Sequence, residues 1–328
     1  MRITVPGEAP AVLVRDPGER IAETVHGLLA QGAVVSVLAT SPSPMVEDLA
    51  TRQLVTVVAE ADVTAYDIVV RDPLTRPVAG AEAAGSGSVV LVGGGPGDAG
   101  LLTVAGLEAL RSADVVVTDR LVPLGALDEV PDHAEVLHVG KMPRGAFTPQ
   151  EAINDLLVTH GRAGKRVVRF KGGDSFVFGR GGEEWAACVE AGVPVTVIPG
   201  VSSALAVPAL AGIPLTHRTL TQGFVVVTGH VPPGDPRSMV DWAWLGGSGL
   251  TLVVLMGVAA LPQISAALVS GGMDPNTPAA CVADGGMPSM RSVTATITTL
   301  AAAAKAAGLR PPAVTVIGDV VTALQESS

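Results

Sequence analysis

The sequence predicts an α/β protein in which two larger sheet-forming regions follow a smaller one. Short valine-rich runs alternate with amphipathic helical segments along most of the chain, and this alternation is typical of sheets connected by crossover helices. The small-residue segment PVAGAEAAGSG at 77–87 has the composition of a linker. A second boundary is indicated by the segment ALAGIPLTHR at 209–218. We therefore expect three regions, at residues 1–85, 88–210 and 211–328.

The first region is predicted to contain strands at 11–14, 32–39 and 66–71 and a helix over 19–31. This order is typical of a mononucleotide-binding half. The turn after the first strand, VRDPG, lacks the pattern G-x-G-x-x-G, so a pyrophosphate could not approach the helix N-terminus there. We expect this unit to bind no NAD.

The second region opens with a buried strand at 88–92 and the glycine turn GGGPGD at 93–98. The turn is not a P-loop, because no Lys-Ser or Lys-Thr pair follows it. It is not a dinucleotide fingerprint either, because the glycine spacing differs and Pro96 has no N–H to donate. Ligand crevices of α/β proteins open at the carboxyl ends of strands, which makes this turn a candidate binding element.

Further strands of this region are predicted to place polar residues at the same edge of the sheet. Strands at 114–118 and 135–139 end next to Asp119 and Lys141, and a helix cap or turn is the alternative role for Asp119. The segment TPQE at 148–151 predicts a helix that opens with a capping box and has proline at its first position. The other predicted elements are a helix at 103–112, a strand at 166–170, a helix at 183–191 and a strand at 195–198.

The most unusual stretch is KRVVRFKGGDSFVFGRGGEEW at 165–185, which holds three of the five phenylalanines of the protein. Scarce large apolar side chains placed among glycines indicate a packed, shaped pocket. A flexible surface loop is the alternative. We interpret these aromatic side chains as packing rather than as a stacking platform. At 199–203, PGVSS offers two serines where a helix begins, with free N–H groups and hydroxyls available to a ligand.

The charge distribution suggests an anionic small molecule rather than nucleic acid as the partner. The net charge is −10, which argues against nucleic acid. Between residues 141 and 180, however, eight cations and three acids give a local balance of +5. We interpret this segment as a basic wall facing a polyanionic small molecule, with solvated strand and helix edges as the alternative. The eight cations are Lys141, Arg144, Arg162, Lys165, Arg166, Arg169, Lys171 and Arg180.

Several classes of protein lack support in the sequence. The six histidines show no metal-binding spacing, and the two cysteines form neither a disulfide framework nor a metal knuckle. No apolar run approaches the roughly 20 residues of a membrane helix, and the N-terminus lacks the pattern of a secretory signal peptide. We therefore expect no metal and no membrane partner, and a reducing, cytoplasmic location.

The third region is predicted to form a mixed sheet, because strands and helices alternate there again. The predicted elements are strands at 224–228, 251–256, 279–283, 292–297 and 313–317 and helices at 258–269 and 298–307.

A series of motifs makes a family resemblance specific. In chain order they are GGGPGDAGLLT at 93–103, TDRLV at 118–122, VGK at 139–141, KGGDSFVFGRGGEE at 171–184, PGVSSA at 199–204, AGIPLTHR at 211–218, TGH at 228–230 and MG at 256–257. Through them, residues 88–320 resemble the uroporphyrinogen-III C-methyltransferases. These are tetrapyrrole methylases that also occur as the C-terminal module of siroheme synthases.

The resemblance implies a fold and an activity. The fold is that of class III S-adenosylmethionine-dependent methyltransferases, with two α/β domains and the active site in the cleft between them, usually in a homodimer. The implied reaction methylates uroporphyrinogen III at C2 and C7 to give precorrin-2, for siroheme or cobalamin biosynthesis, and releases S-adenosylhomocysteine. Neither NAD nor a metal is expected. Residues 1–85 are similar to a shortened, degenerate Rossmann-like remnant of a precorrin-2 dehydrogenase unit.

The resemblance also assigns roles to individual residues. Asp119 matches the proton acceptor of the family and Lys141 the proton donor. The positions implied to contact the cofactor are Pro96, Gly172, Gly173, Asp174, Val177, Ser202, Ser203, Met256 and Gly285. Because arginine pairs with carboxylates in a bidentate manner, we assign the substrate carboxylates to Arg144, Arg180 and Arg218.

The chain departs from the family pattern in the segment after Lys141. It also departs at Ser175, a position at which relatives usually carry proline. Two alternative functions are considered. One is a bifunctional siroheme synthase with residual NAD-dependent precorrin-2 dehydrogenase activity, which would form sirohydrochlorin from precorrin-2 and NAD. The other is a non-catalytic tetrapyrrole-binding protein, against which Asp119 and the GGD motif argue.

Overall fold

The residues that the structure describes form three sheets, one in the unit 1–84 and two in the separate unit 85–328. The computed structural model describes residues 11–15, 25, 28–29, 33–39, 44–61, 66, 68–70, 87–139 and 148–324. Lys141 and Arg144, most of the helix predicted at 19–31 and nearly all of the linker at 77–87 lie outside the described residues.

The first unit contains a four-stranded sheet in the order β3-β2-β1-β4, and every pairing is parallel. Its elements are β1 (Ala11–Arg15), β2 (Val34–Leu38), α1 (Pro44–Thr51), β3 (Thr56–Val58) and β4 (Ile68–Val70). The three predicted strands are present, whereas α1 and β3 were not predicted. Strand β3 has only three residues, too few for a periodic pattern to be recognised.

The second unit begins with a five-stranded parallel sheet in the order β7-β6-β8-β5-β9. Its strands are β5 (Ser88–Gly93), β6 (Val115–Thr118), β7 (Glu135–His138), β8 (Arg166–Lys171) and β9 (Val195–Ile198). Its helices are α2 (Val104–Arg111), α3 (Gln150–Arg162), α4 (Gly181–Glu190) and α5 (Ser203–Leu210). The sheet order places β5 beside β8. The glycine turn at 93–98 and the GGD motif at 172–174 therefore lie at neighbouring carboxyl ends.

The same unit ends with a five-stranded mixed sheet, as predicted, in the order β10-β11-β14-β12-β13. Only the pair β10–β11 is parallel among these strands. The elements are β10 (Phe224–Thr228), α6 (Trp242–Gly247), β11 (Thr251–Leu255), α7 (Leu261–Ser270), β12 (Pro278–Ala283), β13 (Arg291–Thr296), α8 (Leu300–Ala306) and β14 (Ala313–Ile317). Helix α6 was not predicted.

The predicted start of helix α3 is wrong. The helix begins at Gln150, and Pro149 occupies the N-cap position, where it makes no side-chain capping hydrogen bond. Proline has no side-chain acceptor, so the expected capping box cannot form with this register. The Gln150 side chain instead donates from Nε2 to the side-chain Oδ1 of Asn154 at 3.0 Å.

The side chain of Asp114 ties the starts of two neighbouring strands together. Its Oδ2 accepts a hydrogen bond from the backbone N–H of Arg166 at 2.8 Å, and His133 lies 3.8 Å from its Oδ1. Burial raises the pKa of the Asp114 carboxyl, but the hydrogen bonds from Arg166 outweigh burial and hold this pKa below its usual value of 3.8. A carboxyl with a lowered folded-state pKa contributes stability above its unfolded pKa and loses that stability as the pH falls.

Replacing Asp114 by asparagine is therefore expected to lower the free energy of unfolding by about 1 kcal/mol at neutral pH. The difference between the two proteins should shrink as the pH falls below 3.8 towards the lowered folded-state pKa. Urea unfolding at several pH values measures it, with the exposed Asp132→Asn as control. A difference that is the same at every pH would contradict this role of Asp114.

Candidate active site

Bare backbone from three strand ends meets at the carboxyl edge of the parallel sheet. Gly95 and Gly173 form an isolated bridge, in which each N–H donates to the other's carbonyl, at 3.1 and 2.7 Å. Gly173 has φ +67°, a value that favours glycine. A Cβ on Gly200 would lie 2.2 Å from the Gly173 carbonyl oxygen, so a side chain has no room there. The glycines therefore bring the loops after β5, β8 and β9 into direct contact.

Asp174 fixes these loops with both of its carboxylate oxygens. Its Oδ1 accepts from the backbone N–H of Phe176 at 2.8 Å, and its Oδ2 accepts from that of Gly200 at 3.0 Å. Ser202 then caps α5, because its Oγ accepts from the backbone N–H of Ala204 at 3.3 Å. The predicted acid and the first predicted serine thus shape the site through the backbone.

These loops border a cavity of about 500 Å³ that also reaches the mixed sheet. This volume falls within the range of small-molecule sites. The predicted residues that line the cavity are Pro96, Asp119, Gly172, Gly173, Asp174, Val177, Arg180, Ser202, Ser203 and Met256. Met256 follows β11, so the structure brings together both larger regions of the chain at this cavity.

Two predicted residues do not line the cavity. A Cβ on Gly285 would lie 2.4 Å from the Val207 side chain, so Gly285 packs closely against α5, and Met287 lines the cavity instead. The family resemblance could not show which residue of this segment faces the cavity, because the turn after β12 decides it. Arg218 is exposed and lies away from the cavity lining.

The expected basic wall is wrong for two of the described cations, Arg162 and Arg166. Arg166 pairs with Asp114 at the amino end of β8, and Arg162 donates to the Ala191 carbonyl oxygen. Both therefore lie away from the carboxyl edge that forms the cavity. Of the six described cations, the three that line the cavity are Arg169, Lys171 and Arg180.

Arg169 and Lys171 belong to a buried network of charges beneath the cavity. Arg169 donates from Nη2 to Asp119 Oδ1 at 2.7 Å and from Nε to Glu184 Oε1 at 2.9 Å. Lys171 Nζ donates to the same Glu184 oxygen at 2.9 Å. The Asp119 side chain is 30% exposed, whereas the Arg169, Lys171 and Glu184 side chains are at most 4% exposed. The network thus extends from Glu184 on helix α4 to the Asp119 carboxylate, which faces the cavity.

The pKa of Lys171 is lowered from its usual value by burial, and the positive charge of Arg169 lowers it further. The carboxylates of Glu184 and Asp119 act in the opposite direction. Lys171 therefore keeps its ammonium through contact with acids rather than with water.

The rim of the cavity carries aromatic and charged side chains. Phe170 is fully buried, as the packing interpretation predicts, but Phe178 is 43% exposed and lines the cavity, so that interpretation is wrong for Phe178. The φ of Phe178 is +54°, in the left-handed region that favours glycine. Arg180 holds Glu183 through two hydrogen bonds of 2.8 and 2.6 Å.

The described part of the chain holds no group of three or more histidine, cysteine or acidic side chains that could bind a metal ion. Within that same part, every helix is too short or too polar to cross a membrane. Cys188 packs in the core, where burial raises the pKa of its thiol to about 11.

Comparisons with known proteins identify the family of the chain. The model of the family described as Tetrapyrrole (Corrin/Porphyrin) Methylases matches residues 88–301. A siroheme synthase of Neisseria meningitidis serogroup A is 48% identical over 235 residues, which cover 72% of this chain and 48% of that protein. Siroheme synthase 1 of Klebsiella pneumoniae is 46% identical over 241 residues, 74% of this chain and 50% of that protein. The chain spans about half the length of these curated relatives.

Solved structures support the same assignment. The native uroporphyrin III C-methyl transferase from Thermus thermophilus is 40% identical with a TM-score of 0.60, over 72% of this chain and 94% of that one. Its complex with S-adenosyl homocysteine is 41% identical with the same TM-score and coverage. A cobalt precorrin-4 methyltransferase is 27% identical with a TM-score of 0.65, over 71% of this chain and 95% of that one. The predicted α/β methylase fold is confirmed, and the chain belongs to the tetrapyrrole (corrin/porphyrin) methylase family.

Proposed function

We propose that this chain transfers methyl groups from S-adenosylmethionine to C2 and C7 of uroporphyrinogen III, forming precorrin-2. The observation that carries the proposal is that Asp119 and the glycine strip Gly172–Gly173 line one cavity. A carboxylate for proton transfer and bare backbone for a cofactor therefore lie side by side. The 40% identity to a uroporphyrin III C-methyl transferase supports this choice of substrate.

The cavity suits a folded nucleoside cofactor held mainly by backbone groups. A Cβ on Gly172 would lie 2.4 Å from the Leu121 carbonyl oxygen, so this strip of backbone stays bare. S-adenosylmethionine supplies a methyl group that its sulfonium already activates. The residues that would hold it are Pro96, Gly172, Gly173, Asp174, Val177, Ser202, Ser203 and Met256, with Gly285 supporting their position from behind α5.

The protein's own contribution is orientation and proton transfer. A pyrrole carbon of a porphyrinogen is already nucleophilic, so the cavity must hold it in line and at near-attack distance. One proton leaves the substrate as the methylated ring rearranges, and the Asp119 carboxylate accepts it. Lys141 is proposed as the proton donor.

The substrate carboxylates require cations at the rim, and we assign Arg144, Arg180 and Arg218 to them. Arg180 lines the cavity but already binds Glu183, so a substrate carboxylate would share its guanidinium. Arg218 lies outside the lining and would reach only peripheral carboxylates.

We also propose how the chain is divided into domains. Residues 88–210 and 211–328 are taken as the two methylase domains, and residues 1–85 as the remnant of a dehydrogenase unit without NAD-dependent activity. The missing glycines in the turn VRDPG support this last point. A homodimer in the cytoplasm, feeding siroheme or cobalamin synthesis, is proposed on the family resemblance.

Incubation with uroporphyrinogen III and S-adenosylmethionine is expected to yield a product that carries two added methyl groups. Mass spectrometry counts these groups, and S-adenosylhomocysteine should form in a twofold molar amount. Heat-denatured protein is the control for spontaneous modification of the substrate. A product without added methyl groups would refute the proposed function.

A further inference from the structure

Helix α4 places a fully buried carboxylate, Glu184, beneath the proposed active site. We propose that Glu184 is a positioning residue of the methyl transfer, which holds Arg169 against Asp119 and holds the ammonium of Lys171 at the cavity. This inference rests on the proposed function.

The geometry supports an indirect role. Glu184 Oε1 accepts from Arg169 Nε and Lys171 Nζ, both at 2.9 Å, and from Gln150 Nε2 at 3.4 Å. Glu184 is 0% exposed and does not line the cavity, whereas Asp119, Arg169 and Lys171 do. It therefore acts on the site through the two cations rather than by touching a ligand.

Arg169 links the buried Glu184 carboxylate to the partly exposed Asp119 carboxylate. Its Nε donates to Glu184 and its Nη2 donates to Asp119, so a single planar guanidinium aligns both acids. Its Nη1 donates to the carbonyl oxygens of Val117 and Phe170 at 3.2 and 3.3 Å. These contacts and the Nε contact to Glu184 hold the guanidinium in one orientation together, so the direction of the Asp119 carboxylate depends in part on Glu184 remaining in place.

A gain in stability does not by itself explain why Glu184 is buried next to two cations. Buried ion pairs often add little to stability relative to well-packed apolar side chains. Glu184 Oε2 is also buried and lacks a hydrogen-bond partner among the described residues, which adds an energetic cost. Holding two cations in fixed positions beside the proposed proton acceptor accounts for this arrangement.

The test compares Glu184→Gln with Glu190→Gln, an exposed glutamate on the same helix. Glutamine keeps the size of the side chain and removes its charge. In Glu184→Gln, kcat should fall by about 10²-fold through misplacement of Asp119. Affinity for S-adenosylhomocysteine, measured by calorimetry, should stay within about threefold.

The pH profile separates positioning from structural support. The acids Glu184 and Asp119 raise the pKa of Lys171, whereas Arg169 and burial lower it. Without the charge of Glu184, Lys171 should lose its proton at lower pH. Because Lys171 lines the same cavity as Asp119, loss of its positive charge changes the electrostatic field at the proton acceptor, so the basic limb of kcat should move to lower pH. Glu190→Gln should match the wild type in every measurement.

Wild-type kcat in Glu184→Gln would overturn the inference, and so would a parallel loss of S-adenosylhomocysteine binding with an unmoved basic limb. If Glu184→Gln does not fold, Glu184→Asp keeps the charge on a shorter side chain. Its kcat should fall while the basic limb stays in place, and an unchanged kcat would overturn the inference. If the wild-type protein itself transferred no methyl group to the substrate, this result would instead refute the proposed function.

Discussion

Replacing Asp119 by asparagine is expected to lower kcat by about 10²- to 10⁴-fold, the usual contribution of general acid–base catalysis. Asparagine preserves the shape of the side chain and can still accept a hydrogen bond from Arg169. It cannot take up the proton that leaves the methylated macrocycle. Affinity for S-adenosylhomocysteine should remain at the wild-type level, because the glycine strip is unchanged. Single-turnover methylation and calorimetry together measure the two effects.

The matched control for this variant is Asp128→Asn, an exposed aspartate in the same half of the second unit. It removes the same charge from the protein and should leave kcat unchanged. Thermal unfolding of Asp119→Asn checks that loss of the ion pair with Arg169 has not disrupted the fold. A folded Asp119→Asn protein with normal kcat would show that Asp119 is not the proton acceptor.

Several of the predicted residues that line the cavity directly follow valine-rich strands. Asp119 comes one residue after β6, and Gly172–Gly173 come directly after β8. Their position is decided by local structure, because the carboxyl ends of parallel strands meet at one edge. The family motifs then named these residues, and the cavity brings them together.

Glu184 was missed because it resembles an ordinary acidic residue in the first turn of a helix. Only the contacts of the Glu184 side chain with Arg169 and Lys171 of β8 reveal its burial. One signal was present in the sequence. Arg169 and Lys171 are two residues apart on a buried strand, so both side chains point to the same face. Two buried cations on one face require an anion, and the helix that follows supplies it.

The prediction of a basic wall was wrong for Arg162 and Arg166 for a related reason. A count of charges along the chain ignores which end of a strand each charge occupies. Arg166 and Lys171 belong to the same strand, yet Arg166 pairs with Asp114 at one end and Lys171 lines the cavity at the other. Which residue of a turn faces a ligand is equally non-local, as Gly285 and Met287 show.

The second large effect is expected from Gly200→Ala, because the added methyl group would meet backbone on both sides. Its Cβ would lie 2.2 Å from the Gly173 carbonyl oxygen and 2.5 Å from the Gly93 carbonyl carbon. Neither neighbour can rotate away, so the loops after β5 and β8 must separate. Overpacking of this kind costs about 1–3 kcal/mol or more of stability. The same separation moves Gly173 and Ser203, which line the cavity.

Affinity of Gly200→Ala for S-adenosylhomocysteine should therefore fall by about tenfold or more, since 1.4 kcal/mol corresponds to tenfold. The matched control is Gly182→Ala in α4, where an added Cβ meets nothing within 4 Å. Because alanine favours helix over glycine, this control should gain up to about 1 kcal/mol in stability. Calorimetry and urea unfolding of both variants measure these effects. If Gly200→Ala bound the ligand and unfolded like the wild type, close contact of the three glycine loops would not be what shapes the cavity.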